Sequence, residues 1–185
     1  AYTGQRLHAE PAISVPIVQA PGYSLEAEGK LMATYYQQDI PDDMSSYFSG
    51  TLGMNGLESN VSRVLPEARV HGGMSFDRKT SFNDQPFTQT LEPEVQYLYI
   101  PYKNQNNIGL YDTTNMQSDY YNLFSDRRFA GLDRISDANR VSYGATTRLF
   151  DSENTERLRF TLGQSYDLVA PQVTLLPLPL IGWLP

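Results

Sequence analysis

Two carboxylate pairs sit at a spacing of two, Glu26 with Glu28 and Glu92 with Glu94. Paired carboxylates can divide the roles of general acid and general base. Two histidines, His8 and His71, are candidate metal ligands, and many serines are candidate nucleophiles. A further group is ionic: Asp126-Arg127-Arg128 and Asp133-Arg134, whose guanidinium forks suit phosphate oxygens. Each of these has a plainer reading. A spacing of two places side chains on one face of an extended strand, so the carboxylates equally describe a hydrated strand face. Neither histidine has a second ligand at metal-binding spacing, so no metal is expected. There is no Gly-x-Ser-x-Gly elbow and no phosphate-cradling glycine loop. No catalytic residue and no cofactor is therefore expected. Both signs alternate in the Asp–Arg groups, which favours an ion-pair network packing a loop over or into the fold above a basic patch. Gly131, inside that stretch, suits a tight backbone turn.

The elements carrying these residues are read from period-two alternation. From Arg6 to Ile17 an apolar row (Leu7, Ala9, Ile13, Val15) faces away from Arg6, His8 and Glu10. From Tyr23 to Gln38, Tyr23, Leu25, Leu31 and Tyr35 oppose Glu26, Glu28 and Lys30. Between Asn60 and Asp77, Val64, Val70 and Phe76 oppose Arg63, Glu67, Arg69 and His71. From Phe87 to Tyr102, Leu91, Val95, Tyr97 and Tyr99 oppose Glu92 and Glu94, and the polar row turns apolar at Leu98 and Ile100. Val141 to Leu149 sets Tyr143 against Arg148, and the last run sets Leu158, Phe160, Leu162, Tyr166 and Leu168 against Arg157 and Arg159. Six strands result, each able to supply the roughly 9–11 residues of a tilted membrane strand.

Their connections alternate in length. Val18–Gly22, 78–86 and 151–155 are short, whereas 39–59 and 103–140 are long and polar. Short turns on one side and long loops on the other are the habit of outer-membrane barrels, which carry apolar residues outward and polar residues inward. The expected fold is all-β: an antiparallel transmembrane β-barrel segment of about six up-and-down strands. Six strands are too few to close a pore, because single-chain bacterial barrels begin at eight. The charged rows are then lumen-facing, and Tyr23, Tyr35, Tyr97, Tyr99, Tyr143 and Tyr166 are candidates for interfacial girdles. Pro11, Pro66 and Pro93 are expected at strand starts near the membrane boundary, since proline lacks a ladder donor. Residues 1–170 form the partial barrel domain. The apolar, proline-rich tail 171–185 cannot be a ladder strand, is read as a truncation or reading-frame artefact, and is assigned no function.

A net charge of −7 gives no basic footprint for nucleic acid. The chain has no cysteine to indicate a redox compartment. It also has no apolar run of about 18 residues that could form a membrane helix.

Two segments carry a family likeness. Leu91-Glu92-Pro93-Glu94-Val95-Gln96-Tyr97-Leu98-Tyr99-Ile100-Pro101-Tyr102 and the stretch from Phe124 to Arg140, containing Gly131-Leu132-Asp133-Arg134-Ile135, resemble the LptD family of lipopolysaccharide-assembly proteins. Asn60 to Pro66 and Gly163-Gln164 match as well, so the likeness covers roughly residues 1–168. The resemblance implies a very large barrel in the Gram-negative outer membrane that delivers lipopolysaccharide to the outer leaflet. It implies as partners an LptE-type lipoprotein plugging the lumen and a periplasmic lipopolysaccharide-bridge protein, reached through a domain this chain lacks. The linking cysteines and the seam for lipid exit are also missing from this stretch. Two rivals stay open on the residues alone. One is another outer-membrane barrel, a porin or receptor. The other is a soluble β-sandwich, which would bury Leu31, Val70, Tyr97 and Leu162 in a dry core.

Overall fold

The computed structural model describes residues 3–40 and 57–175. Its strands are β1 (Thr3–Ala9), β2 (Ala12–Ala20), β3 (Tyr23–Asp39), β4 (Asn60–Met74), β5 (Phe76–Phe82), β6 (Gln85–Ile100), β7 (Thr114–Asn115), β8 (Phe129–Ala130), β9 (Ala138–Phe150) and β10 (Glu156–Asp167). All but β7 and β8 belong to one antiparallel sheet that follows chain order, β1-β3-β4-β6-β9-β10, with β2 beside β3 and β5 beside β6. Six wall strands are thus present, the first built from β1 and β2 and the third from β4 and β5. Among the described residues the sheet is open, with β1 and β2 along one edge and β10 along the other.

The alternation runs in the expected sense. Leu31 is 49% exposed, Val70 38%, Tyr97 38% and Leu162 68%, so the aliphatic row lies on the outer surface and is not packed between sheets. The opposite face buries Arg63, Glu67, Gln96 and Ser142. A soluble sandwich has the reverse polarity and is excluded.

Several sequence expectations are corrected. The connection expected at 78–86 shrinks to Asn83-Asp84, because β5 and β6 continue to Phe82 and Gln85. Asn83 and Asp84 both have positive φ (50° and 61°), the requirement of a two-residue hairpin turn matched to strand twist. Likewise 18–22 shrinks to Pro21-Gly22, with Gly22 at φ 87°. The prolines do not start strands. Pro11 falls in the break between β1 and β2, and Pro16 borders a register shift in β2. Pro66 lies beyond the end of the β4–β6 ladder, which spans only Ala68–Gly73. Pro93 falls opposite the β4/β5 break, between Glu94, the last partner of β4, and Leu91, the first partner of β5. Each proline borders a break, a register shift or the end of a ladder, where a missing N–H removes least from the sheet. Residues 41–56 of the expected loop 39–59 and 176–185 of the expected tail lie outside the described residues.

The second long connection, 101–137, is folded inward against the polar face. That explains the apolar turn at Leu98 and Ile100. Both are 1% exposed and pack with Met32, Leu65 and Ile135 in a core roofed by the connection, while Tyr36, Val61 and Ile108 form a second cluster. The hydrophobic core lies inside the wall at the long-loop end, where β-strand side chains that would otherwise meet water are covered.

Candidate functional site

The register of β1, β3 and β4 sets Arg6 opposite Tyr36 and Thr34 opposite Arg63. These four side chains receive the inward-folded connection. Arg63 is 1% exposed and donates to Gln105 Oε1 (2.7 Å), the Asp133 and Leu132 carbonyls (3.0 and 2.5 Å) and Thr34 Oγ1 (3.2 Å). Asp133 is fully buried. Its carboxylate accepts from the backbone N–H of Tyr111 and Asp112 (2.6 and 2.8 Å), Arg6 Nη1 (3.0 Å) and the Tyr36 hydroxyl (3.3 Å). A buried carboxylate with four donors is the arrangement that offsets desolvation. Arg6 also pairs with Asp112 at 2.8 Å, and this hydrogen bond holds the Asp112 carboxyl well below the usual range. Arg134, 1% exposed, donates to the Ile108 carbonyl at 2.9 Å.

Two buried amides act as substitute backbone. Gln38 donates to the Glu58 and Asn107 carbonyls and accepts from Gly109 N–H and the Tyr111 hydroxyl. Gln105 donates to the Ile135 carbonyl (2.7 Å) and accepts from Ile135 N–H (2.9 Å). A primary amide has both a donor and an acceptor, so it can satisfy irregular backbone that has no strand beside it. Gly131 makes the chain reversal that presents Asp133: its φ is +79°, and a Cβ there would lie 2.6 Å from the Asp112 carbonyl oxygen.

Below this ionic knot a second segment crosses the wall. Tyr120 opens a 3-10 turn (Tyr121–Phe124) and lies over Gly144 and Gly163, which face each other across β9 and β10. The Tyr120 hydroxyl donates to Glu94 at 2.6 Å, and burial together with that carboxylate pushes its pKa up to about 12. Phe124 meets His71 edge-on, and Gln96 donates to the Phe124 carbonyl. Lys30 pairs with Asp126 at 2.5 Å, and Arg127 pairs with Glu10. Burial, the largest single influence, would raise the Asp126 pKa, but the Lys30 hydrogen bond together with the positive charges of Lys30, Arg127 and Arg69 brings the net shift down. Between this segment and the short-turn end lies a hollow of about 740 Å³, lined among others by His71, Glu94, Tyr120 and Arg148.

The sequence candidates thus divide. Arg6, Arg63, Asp133 and Arg134 meet in the knot, with Gly131 at its turn. Lys30, Asp126, Arg127 and Glu10 meet beneath it, joined by His8, which contacts Glu10 at 2.7 Å. Glu67, 4% exposed, has no hydrogen-bond partner among the described residues, its nearest cation being Lys30 Nζ at 3.7 Å. Towards the short-turn end the charges pair locally: Glu28 with Arg69, His71 with Glu94, Glu92 with Arg148, Arg159 with Glu156, and Glu26 with Ser14. Arg157 leaves the row, because β10 is bulged there, and pairs with Asp151 of the turn. Arg128 stacks over Phe129. Sequence reading did not single out Tyr36, Gln38, Gln105, Asp112 or Tyr120. Gln38 and Tyr36 share the polar row of their strand and were detectable in principle. Gln105, Asp112 and Tyr120 sit in a stretch with no period to flag them. No group of three metal-ligating side chains converges among the described residues.

Comparison with known proteins agrees with this geometry. Residues 1–180 match the family model LptD, described as LPS transport system D. The chain is 50% identical over 183 residues to the LPS-assembly protein LptD of Aeromonas salmonicida, covering 96% of this chain and 23% of that protein. The LPS-assembly protein LptD of Aeromonas hydrophila matches at the same identity and coverage. That of Yersinia enterocolitica is 49% identical over 166 residues, covering 88% of this chain and 21% of the relative. The chain therefore spans less than a quarter of the length of these curated relatives.

Proposed function

Since the chain belongs to the LptD family, we propose that it forms part of the wall of an outer-membrane barrel that delivers lipopolysaccharide to the outer leaflet of a Gram-negative bacterium. The observation that carries this reading is the inverted polarity: aliphatic and aromatic side chains exposed on the outer face, buried or paired charges on the inner one. Such a wall shields acyl chains on one side and hydrates sugars on the other. It catalyses no bond change, and the energy for transport comes from outside this chain. An LptE-type lipoprotein occupies the bore, and a periplasmic bridge protein supplies lipopolysaccharide through a domain beyond this stretch. The outward tyrosines support the membrane boundary: Tyr35 donates to Asn60, Tyr97 to Asn139 and Tyr143 to Gln164, each reaching a polar group on the neighbouring strand.

A chimera tests the proposal. This chain replaces the matching stretch of the Aeromonas salmonicida relative, and surface lipopolysaccharide is measured after depletion of the native copy. Surface lipopolysaccharide at the parental level is expected. Normal chimera abundance in the outer membrane with lipopolysaccharide retained inside the cell overturns the assignment.

A further inference from the structure

The segment from Tyr120 to Arg127 reaches β3, β4, β6, β9, β10 and the break between β1 and β2. Tyr120 and Leu123 rest on Gly163 of β10, and Tyr120 on Gly144 of β9. Phe124 lies against His71 of β4, and its carbonyl accepts from Gln96 of β6. Asp126 takes Lys30 of β3, and Arg127 takes Glu10 at the β1/β2 break. The excursion is closed at its neck by the two-residue β7–β8 ladder and by Met116 N–H donating to the Arg128 carbonyl at 3.1 Å. A polar head group moving along this face from the hollow of about 740 Å³ towards the long-loop end meets the strap side-on.

The strap and the knot above it are fastened differently. At the centre of the knot Asp133 and Arg63 are 0% and 1% exposed, out of reach of dissolved ions, and only its outer pair, Arg6 with Asp112, meets solvent. The strap's ionic groups remain open to solvent, with side-chain exposures of 13% for Lys30, 22% for Asp126, 24% for Arg127 and 27% for Glu10. A phosphate presents several oxygens to an arginine fork and competes well with a single carboxylate. Resting on the transport reading above, we propose that the strap is an ionic lid: it swings on the β7–β8 neck and is latched by Glu10–Arg127 and Lys30–Asp126. It opens when the phosphates of a phosphorylated glycolipid head replace those carboxylates at Arg127 and Lys30. The uncharged end, Tyr120 in its glycine seat, recloses the lid once the phosphates have passed.

The test uses the full-length protein in lipid nanodiscs, with spin labels at Ser118, between the neck and the strap, and at Gln37 on β3. One narrow distance is expected in about 0.1 M salt, broadening in about 1 M salt, where screening shortens to about 3 Å. Phosphorylated lipid A glycolipid broadens it at low salt, and the dephosphorylated glycolipid does not. E10R broadens it without ligand, and E10R combined with R127E restores the narrow distance. G163A, whose Cβ would lie 2.8 Å from the Tyr120 ring, unseats the tip and raises the open fraction without altering a charge. A distance unmoved by phosphorylated glycolipid that is separately shown to bind overturns the proposal, as does a double reversal that fails to restore closure. Failure of the wild type to bind the glycolipid at all sinks the transport reading instead, and the salt and charge-reversal arms then still decide the latch.

Discussion

The two ends of the polar wall carry similar residues and treat them in opposite ways. At the long-loop end Arg63, Asp133 and Arg134 are sealed beneath the connection and use backbone carbonyls and N–H groups as partners. At the short-turn end Arg148, Arg159 and Glu92 pair side chain to side chain within reach of water. An ion taken out of water needs several well-placed partners before its burial is offset, and a hydrated ion pair needs almost none. The sealed end therefore holds the loop in one arrangement, whereas the hydrated end keeps a charged surface without specifying a structure.

The comparison is broken most severely at Asp133. Asp133→Ala removes a fully buried acceptor from the backbone N–H groups of Tyr111 and Asp112 and from the Tyr36 hydroxyl, and leaves Arg6 with Asp112 alone. A loss of about 3–5 kcal/mol is expected, read as a lowered unfolding midpoint and new protease cleavage within 101–137 in the folded full-length protein. Next comes the outward face. Leu162→Arg, near the middle of β10 and 68% exposed, should cost about 2–4 kcal/mol in bilayer refolding, whereas Thr161→Arg on the other face should stay within about 1 kcal/mol. Equal effects from the two would mean that the wall has no lipid side. Gly131→Ala forces a Cβ against the Asp112 carbonyl in a left-handed conformation, and a loss of about 1–3 kcal/mol is expected by the same unfolding assay. Arg148→Ala, at the hydrated end, should lower stability by no more than about 1 kcal/mol, and a larger loss would erase the contrast between the ends.

Acidity gives the smallest effect near neutrality. Asp112 and Asp126 have depressed pKa values in the folded state. Their contribution is therefore complete above the ordinary carboxylate value of about 3.9 and is lost as pH falls through their lower folded values. Tyr120 has the opposite sign: raised to about 12, its contribution is complete below about 10 and is lost as pH climbs past 12. Protection factors of residues 116–128, in which the intrinsic pH dependence of amide exchange is divided out, should thus stay level from about pH 5 to 9. A fall in protection within that range would mean that some other group holds the strap.

Much of this was legible in the chain itself. Period-two alternation identified all six wall strands and the sense of their faces, because each strand is long and one side meets hydrocarbon while the other meets water. The short turns were placed but drawn too long, since Asn83-Asp84 and Pro21-Gly22 complete their reversals in two residues. The prolines were misplaced for a different reason: whether Pro66 or Pro93 interrupts anything depends on where the neighbouring ladder stops, and that is a property of the pair of strands.

The inward fold of 101–137 was not legible in detail. The Asp–Arg groups suggested a packed loop, but their partners lie up to 127 residues away, as with Arg6 and Asp133, and nothing local singles them out. By itself the sequence determined strand number, the polarity of the wall and family membership, because these follow from side-chain periodicity and local motifs. The tertiary structure alone decided which charges are sealed and which stay wet. That outcome depends on which distant backbone groups arrive to replace water.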